Sequence, residues 1–337
     1  MKYKRIAIDT SKSIFTLCGV DADERAILRK DMSRSQFLSF FSSLEPTTVY
    51  LEACSTSHHW GRTLQALGHQ VHLIPPQYVK PFVKRGKNDH NDAQAINDAA
   101  SRPDMRFVPI KSAAQQADLL ELSCRDLLIR QRTQLVNALR GHAAEFGLIV
   151  AKGIQKVDLL LNKIAADPNM PAIAKDVLAR IGDQIAHLDA QIAACGERLA
   201  AQHKSNEISQ RLDRIPGVGP MIALTATLLI DPKQFTSGRH FAAWIGLTPK
   251  ERSTGGRHTL GGISRAGHEG LRSLLVTGAM AVISHAKQGN KNTPQWLMDL
   301  LERRPRKVAA VALANKMARV IWAMMTSGQA YRFPKTA

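Results

Sequence analysis

The chain has 337 residues, 46 of them Lys or Arg against 28 Asp or Glu, for a formal charge of +18 and a pI near 10.1. That surplus points to a phosphate-bearing partner, and a hydrophobic content of 44% is enough for two or three cored domains. Cys18, Cys54, Cys124 and Cys195 lie far apart with no C-x-x-C pair, which excludes a disulfide framework or a zinc site and reads as buried free thiols in a reducing cytoplasm.

The start MKYKRIAIDT carries no apolar signal segment. Three strands are expected first, at Ile6 to Asp9, Ile14 to Val20 and Arg25 to Arg29, with a turn at Asp21 to Glu24. Ser33 to Leu44 reads as an amphipathic helix whose Ser33 and Gln36 are spaced as a capping box. A strand at Val49 to Leu51, a helix at His58 to Leu67 and a strand at His69 to Ile74, closed by Pro75 and Pro76, complete an α/β order with a mixed sheet.

Two acids end apolar runs, Asp9 after Lys4 and Glu52 after Thr48, so both should sit at the ends of buried strands. Asp89 and Asp92, three apart at the start of a helical stretch, share one helix face. Acids at two neighbouring strand ends and on a nearby helix can converge. Four carboxylates that close repel one another unless divalent cations lie between them, and hard oxygen donors suit Mg²⁺ or Mn²⁺. A turn or a helix cap explains any one of these acids equally well. It does not explain the set, because strand-end acids facing a core are costly to keep without partners.

A helical middle follows. Leu178, Ile181, Ile185, Leu188, Ile192, Cys195 and Leu199 alternate spacings of three and four, a coiled-coil seam. Its expected partner is Ala113 to Phe146, striped by Leu128, Leu135 and Leu139, and a hairpin within one chain and a dimerising coil both fit. The expected domains are therefore 1–111, 112–204 and 205–337. From 205 onward nineteen basic residues stand against seven acidic ones, a net +12, so most of the surplus lies there. Aromatics are only 5%, so backbone contact should outweigh base stacking.

Within this last segment, Ile215-Pro216-Gly217-Val218-Gly219-Pro220 reads as a helix-hairpin-helix turn, in which Gly217 and Gly219 let the backbone approach a phosphate at a helix start. In K-E-R-S-T-G-G-R, Ser253 stands beside Arg252 and Arg257, a hydroxyl able to attack a phosphate given a base and charge stabilisation. Taken alone, Ser-Thr-Gly-Gly is also ordinary loop composition. The longest apolar stretch, Val308 to Met325, is interrupted by Asn315, Lys316 and Arg319, so no membrane partner is expected.

D-T-S-K after the first strand, L-E-A after the fourth and K-N-D-x-x-D-A at a helix start resemble the RuvC-like domain of the DEDD insertion-sequence transposases, a family containing the Piv-type DNA invertases and the bridge-RNA-guided recombinases. IPGVGPMIALTATLL, FAAWIGLTPKERSTGG, GGISRAGHEGLR and VALANKMARVIWAM resemble that family's transposase domain in the same order. The resemblance implies an α/β ribonuclease H-like (RuvC-like) N-terminal domain, a helical coiled-coil segment and a mostly α transposase domain. It implies a DNA transposase guided by a non-coding RNA from its own element, acting on donor and target DNA. Asp9, Glu52, Asp89 and Asp92 would hold Mg²⁺ or Mn²⁺, and Ser253 would form a phosphoserine with DNA.

Ser253 keeps the family's spacing to Ile263-Ser264-Arg265, whereas Thr254 is the hydroxyl directly before Gly255, so both remain candidates. The family's middle segment implies a homo-oligomer, dimer or tetramer, with Arg125, Arg130, Arg132 and Arg140 toward RNA. Arg265, Arg272, Lys316 and Arg319 are the expected phosphate contacts near the serine. Serine and carboxylates in one chain, or across two protomers, are both compatible with the sequence. A nucleoid-associated protein is expected when DNA is bound. The residues alone leave three rivals. A Holliday-junction resolvase-like metal-dependent nuclease needs only the carboxylates. A sugar-kinase or actin-like phosphotransferase needs a glycine-bearing phosphate hairpin that D-T-S-K-S does not supply. A structural nucleic-acid-binding protein needs no cleavage at all.

Overall fold

A computed structural model of the protein describes residues 3–84, 88–286 and 293–332. The chain divides into two compact units, Met1–Ala117 and Asp118–Ala337, so the middle helices fall in the same unit as the C-terminal elements.

The first unit begins with β1 (Arg5–Thr10), β2 (Ile14–Val20) and β3 (Ala26–Ser33), continues through α1 (Arg34–Ser42), β4 (Thr48–Glu52), α2 (Ser57–Ala66) and β5 (Gln70–Ile74), and ends with α3 (Pro76–Val79) and α4 (Asp89–Ala100). The sheet order is β3-β2-β1-β4-β5. β1 to β3 pair antiparallel, while β4 lies parallel to both β1 and β5, giving the mixed sheet expected from the element order. β3 runs four residues beyond its expected end at Arg29, because β2 stays paired with it back to Ile14. Its exposed charges, Arg29 to Asp31, hid the alternation of a strand at the sheet edge. The Ser33/Gln36 capping box is present, with Ser33 N–H donating to Gln36 Oε1 at 2.9 Å. Pro76 opens α3, where its missing N–H leaves no bond unmade.

Alternation along β1 and β4 gives the sheet two different faces. Ile6, Ile8, Val49 and Leu51 pack under α1 and α2 with Phe15, Phe37 and Trp60, whose rings lie 4.7–5.1 Å apart. Ala7 and Tyr50 face the other way, against Ala95, Ile96 and Ala99 of α4. Asn97 ties α4 to the strands. It accepts from Arg5 Nε at 2.5 Å and donates to the Cys18 carbonyl at 3.2 Å, all in the buried layer. Arg5 in turn pairs with Glu24.

The second unit contains α5 (Ala113–Ala144, from Asp118 on), α6 (Val157–Ala166), α7 (Ala172–Ser205), α8 (Glu207–Leu212), α9 (Pro220–Leu229), α10 (Gly238–Trp244), a hairpin of β6 (Pro249–Glu251) and β7 (Leu260–Ile263), α11 (Glu269–Ser284), α12 (Gln295–Arg303) and α13 (Arg306–Ser327). Arg132 with Asp189, and Glu121 with Arg198, run in opposite senses along α5 and α7, so these helices lie antiparallel within one chain. On α7 Leu178, Ile185, Leu188, Ile192, Cys195 and Leu199 are buried, as the spacing implies. On α5 the buried positions are Val136, Leu139 and Ala143, and α6, absent from the sequence reading, supplies Leu160 and Ile164 to the same cluster. Gly182 accommodates Leu161 there; a Cβ would meet it at 2.8 Å.

A separate core forms around α13, whose Ala310, Ala314, Met317 and Ile321 pack with Leu271 and Leu275 of α11 and Phe241 of α10. α13 is long and apolar enough to cross a membrane by length and composition, yet its apolar face is the centre of this packed unit. Not all the cysteines are buried thiols: Cys18 and Cys195 are, whereas Cys54 is partly exposed and Cys124 is exposed.

Candidate active-site residues

The carboxylates gather where the sheet alternation sends them. Asp9 and Glu52 follow Ala7 and Tyr50 by two residues, so they point to the α4 face at the C-terminal ends of adjacent parallel strands. Asn88 caps α4 by accepting from His90 N–H at 2.9 Å, and this starts the helix at Asp89. Asp89 and Asp92 then fall in the first turn, near the positive end of the helix dipole. Carboxylate oxygens of Asp9, Asp89 and Asp92 lie within 4.8 Å of one another. Glu52 stands outside that trio but acts on it electrostatically.

The electrostatics follow from crowding. Burial, then Asp92, Asp89 and Glu52, push the Asp9 carboxyl up to about 6, opposed by a backbone hydrogen bond at Thr10. Burial, then Asp92, also raises Glu52. Among the described residues no Lys, Arg or His forms an ion pair with any of the four. Oxygen donors alone, with no ion-pair partner among the described residues, fit a hard divalent cation. Asp31, which the sequence reading passed over, continues the row: Asp9 pairs with Thr16, and Thr16 with Asp31. Thr16 Oγ1 donates to Asp31 at 2.7 Å, and His90 Nε2 lies 3.5 Å from it.

Ser253 lies in the second unit, in a hairpin rather than an irregular loop. Gly255 and Gly256 both have positive φ, 53° and 76°, as a two-residue primed turn requires. Thr254 and Arg257 exchange both backbone hydrogen bonds across it. Ser253 and His258 are therefore the next cross-strand pair, the kind without backbone bonds in which side chains approach most closely. Ser253 Oγ donates to Glu251 Oε1 at 2.7 Å, and His258 Nδ1 lies 3.4 Å from both atoms. Hydrogen bonds from Ser253 and then His258 hold Glu251 below the usual carboxylate range. The pleat turns Thr254, Arg252 and Arg257 to the opposite face. Glu251 and His258 were missed in the sequence, although T-G-G-R as a turn would have set Ser253 opposite His258. At the base of the hairpin the two legs lock backbone to backbone, with Ser264 N–H on Thr248 O at 2.8 Å and Arg265 N–H on Gly246 O at 3.2 Å.

The other expected contacts sort by what they already touch. Arg132 is paired with Asp189, and Arg125 keeps its Nε buried without a partner. Arg140 donates to the Ala151 and Gly153 carbonyls. Arg272 Nη1 donates to the carbonyls of Ile245 and Ala266 at 2.8 and 2.7 Å, so it secures the α10 end. Arg265 is exposed at φ 57°. Lys316 sits 4.5 Å over the Trp296 ring and, with Arg319 and Arg239, borders a cavity of about 920 Å³. Gly217 has φ 84°, and a Cβ there would meet Val282 at 2.8 Å and the Gly278 carbonyl at 3.0 Å. Its freedom therefore serves packing against α11, while Gly219 has open space and precedes α9.

Residues 6–146 match the DEDD transposase family of IS110 type, and residues 209–293 match the transposase family IS116/IS110/IS902. The chain is 52% identical to the y4pF/y4sB protein of Sinorhizobium fredii, over 97% of this chain and 85% of that one. It is 40% identical to the transposase for insertion sequence element IS1111A of Coxiella burnetii, over 98% of this chain and 91% of that one. Identity to the transposase for IS1328 of Yersinia enterocolitica is 37%, over 97% and 98%.

Proposed function

Because this chain belongs to the IS116/IS110/IS902 family of insertion-sequence transposases, DNA-cleaving and recombining enzymes whose DEDD domain is an α/β ribonuclease H-like fold, we propose that it recombines its element through two sets of groups, a metal-binding carboxylate cluster and a serine nucleophile, under the guidance of an RNA from the same element. The observation that carries the reading is the convergence of Asp9, Asp89 and Asp92 within 4.8 Å at the strand ends, with Glu52 beside them and no cation among the described side chains to balance them. Such a set would hold Mg²⁺ or Mn²⁺, which supplies charge neutralisation and Lewis acidity at a phosphodiester oxygen. The sheet fixes Asp9 and Glu52, and the Asn88 cap with the Arg5–Asn97 anchor fixes where α4 presents Asp89 and Asp92.

In this reading Ser253 Oγ attacks a DNA phosphate. The Oγ–P bond forms, one sugar oxygen leaves, and a hydroxyl from another strand later displaces the serine. The charge of +18 serves the DNA and RNA backbones. A homo-oligomer acting in the bacterial cytoplasm is the expected working form. The test is strand exchange on DNA from the element's own ends with its flanking transcript, in Mg²⁺ and in EDTA. Wild type should act only with the cation, Asp92→Asn should be inactive, and RNA from that flank should co-purify. Full exchange in EDTA would remove the metal from the reaction. Protein that shows no salt-dependent binding to the flanking RNA would remove guidance.

A further inference from the structure

We propose that His258 is the general base for Ser253 and that Glu251 is the positioning residue that holds the pair, an inference that rests on the reading of Ser253 as nucleophile. Three atoms carry it: Ser253 Oγ, Glu251 Oε1 and His258 Nδ1 lie within 3.4 Å of one another on one face of the hairpin. Nothing in this arrangement is accidental to the backbone. The two-residue glycine turn sets Ser253 directly across from His258, and the pleat brings Glu251, two residues before the serine, to the same side. The trio is also accessible, since the Glu251 and His258 side chains are 60% and 80% exposed, and a phosphodiester can approach without any rearrangement of the core.

A serine hydroxyl is a weak nucleophile until a base within hydrogen-bond reach takes its proton. Two candidates touch Oγ. Glu251 is a carboxylate, and the hydrogen bond it accepts from Ser253 in the resting arrangement holds it below even the usual carboxylate range, so at neutral pH it is the weaker proton acceptor of the two. Histidine is the residue type that exchanges protons near neutrality. In the resting arrangement the Ser253 hydroxyl points at Glu251; with the imidazole proton on Nε2, rotation of that hydroxyl about its C–O bond turns its proton to Nδ1, 3.4 Å away. As Oγ–P forms, the Oγ proton passes to Nδ1, and the resulting imidazolium lies beside the Glu251 carboxylate, which offsets its charge. The P–O bond to the leaving sugar oxygen breaks with its electron pair. In-line geometry puts that oxygen opposite Oγ, so it takes its proton from solvent water. When a strand hydroxyl displaces the serine, it loses its proton to solvent water as its bond to phosphorus forms, the Oγ–P bond breaks, and Nδ1 returns its proton to Oγ. The titratable groups on this face of the hairpin are Glu251 and His258, because Arg252 and Arg257 turn to the other.

The experiment uses the full-length protein with its flanking RNA and labelled DNA duplexes copied from its own element's ends, and reads covalent protein–DNA adduct on denaturing gels under single-turnover conditions. His258→Gln should slow adduct formation by roughly 10²-fold at pH 7 while leaving DNA binding unchanged. In wild type the rate should rise with pH to a plateau, and this rise should vanish in His258→Gln. Added imidazole should restore part of the rate to His258→Ala and none to Ser253→Ala. Glu251→Gln should lower the rate less than His258→Gln does and shift the pH profile. A wild-type rate in His258→Gln, with Ser253→Ala inactive, overturns the base and leaves the nucleophile standing. An adduct in Ser253→Ala, or none in wild type, overturns the nucleophile and this inference with it.

Discussion

Asp9 and Glu52 occupy equivalent places on neighbouring parallel strands, each one residue beyond the Ile8–Leu51 pair and each turned to the side where α4 packs. A parallel register fixes their separation more firmly than any loop could. Two acids at the same level of adjacent strands, under a helix that begins Asp-x-x-Asp, make a site whose charge is set by topology.

Neutralising one member should therefore stabilise the protein without metal and deprive it of its response to metal. Asp9→Asn removes the carboxylate that the other three crowd most, and should raise metal-free stability by on the order of 1 kcal/mol. Mg²⁺ or Mn²⁺ should raise the thermal midpoint of wild type by mass action and that of Asp9→Asn hardly at all. Thermal melts with and without EDTA decide this. An equal metal-induced shift in both proteins would place the binding elsewhere.

His58, at the start of α2, gives the first unit a second acid-sensitive element. Its Nδ1 accepts from Lys111 N–H at 3.2 Å, and burial, then Lys111 and Arg62, lower its pKa to about 4. A depressed histidine stays neutral in the folded state while the unfolded chain protonates near 6.5, so its contribution is complete above 6.5 and is lost as pH falls toward 4. Urea midpoints measured from pH 7.5 to 4.5 should fall more for wild type than for His58→Gln, by on the order of 1–2 kcal/mol. Parallel curves would show that His58 titrates freely.

The two glycines of the 215–220 turn should behave differently, although their spacing alone implies one shared role. Gly217→Ala forces a side chain into positive φ and against Val282 and the Gly278 carbonyl, and should cost about 2 kcal/mol or more. Gly219→Ala meets nothing within 4 Å and should leave the denaturation midpoint nearly unchanged. If Gly219 admits a phosphate, the folded Gly219→Ala protein should bind DNA more weakly; unaltered binding would leave the turn a packing device.

What was legible in the sequence was periodic. The runs ending at Asp9 and Glu52, the Ser33/Gln36 box and the apolar stripe of α7 are local patterns; the structure contains the strands, the box and the helix, and buries six of the seven stripe residues, leaving Ile181 half-buried. Elements and contacts defined by a partner were not legible. α6 is found only beside Gly182, Asn97 matters only through Arg5 and Cys18, and the Arg272 guanidinium is occupied by carbonyls from a distant turn. Ser-Thr-Gly-Gly lay between these cases. Its composition reads as loop, and only the two positive φ values turn it into a register that sets Ser253 across from His258.

That register is itself open to test. Gly256 has φ 76°, a conformation that costs a β-branched residue on the order of 1–3 kcal/mol. Gly256→Val should therefore break the two-residue turn and release Ser253 from His258. The core around α13 contains no residue of the hairpin, so the unfolding midpoint should barely move. Adduct formation should fall by roughly 10²-fold, the loss expected when a reacting group is displaced by about 1 Å. Asn tolerates this region of backbone space, so Gly256→Asn should recover most of the rate. Equal activity in the Val and Asn variants would mean that the hairpin merely carries the serine and that its geometry contributes nothing to the chemistry.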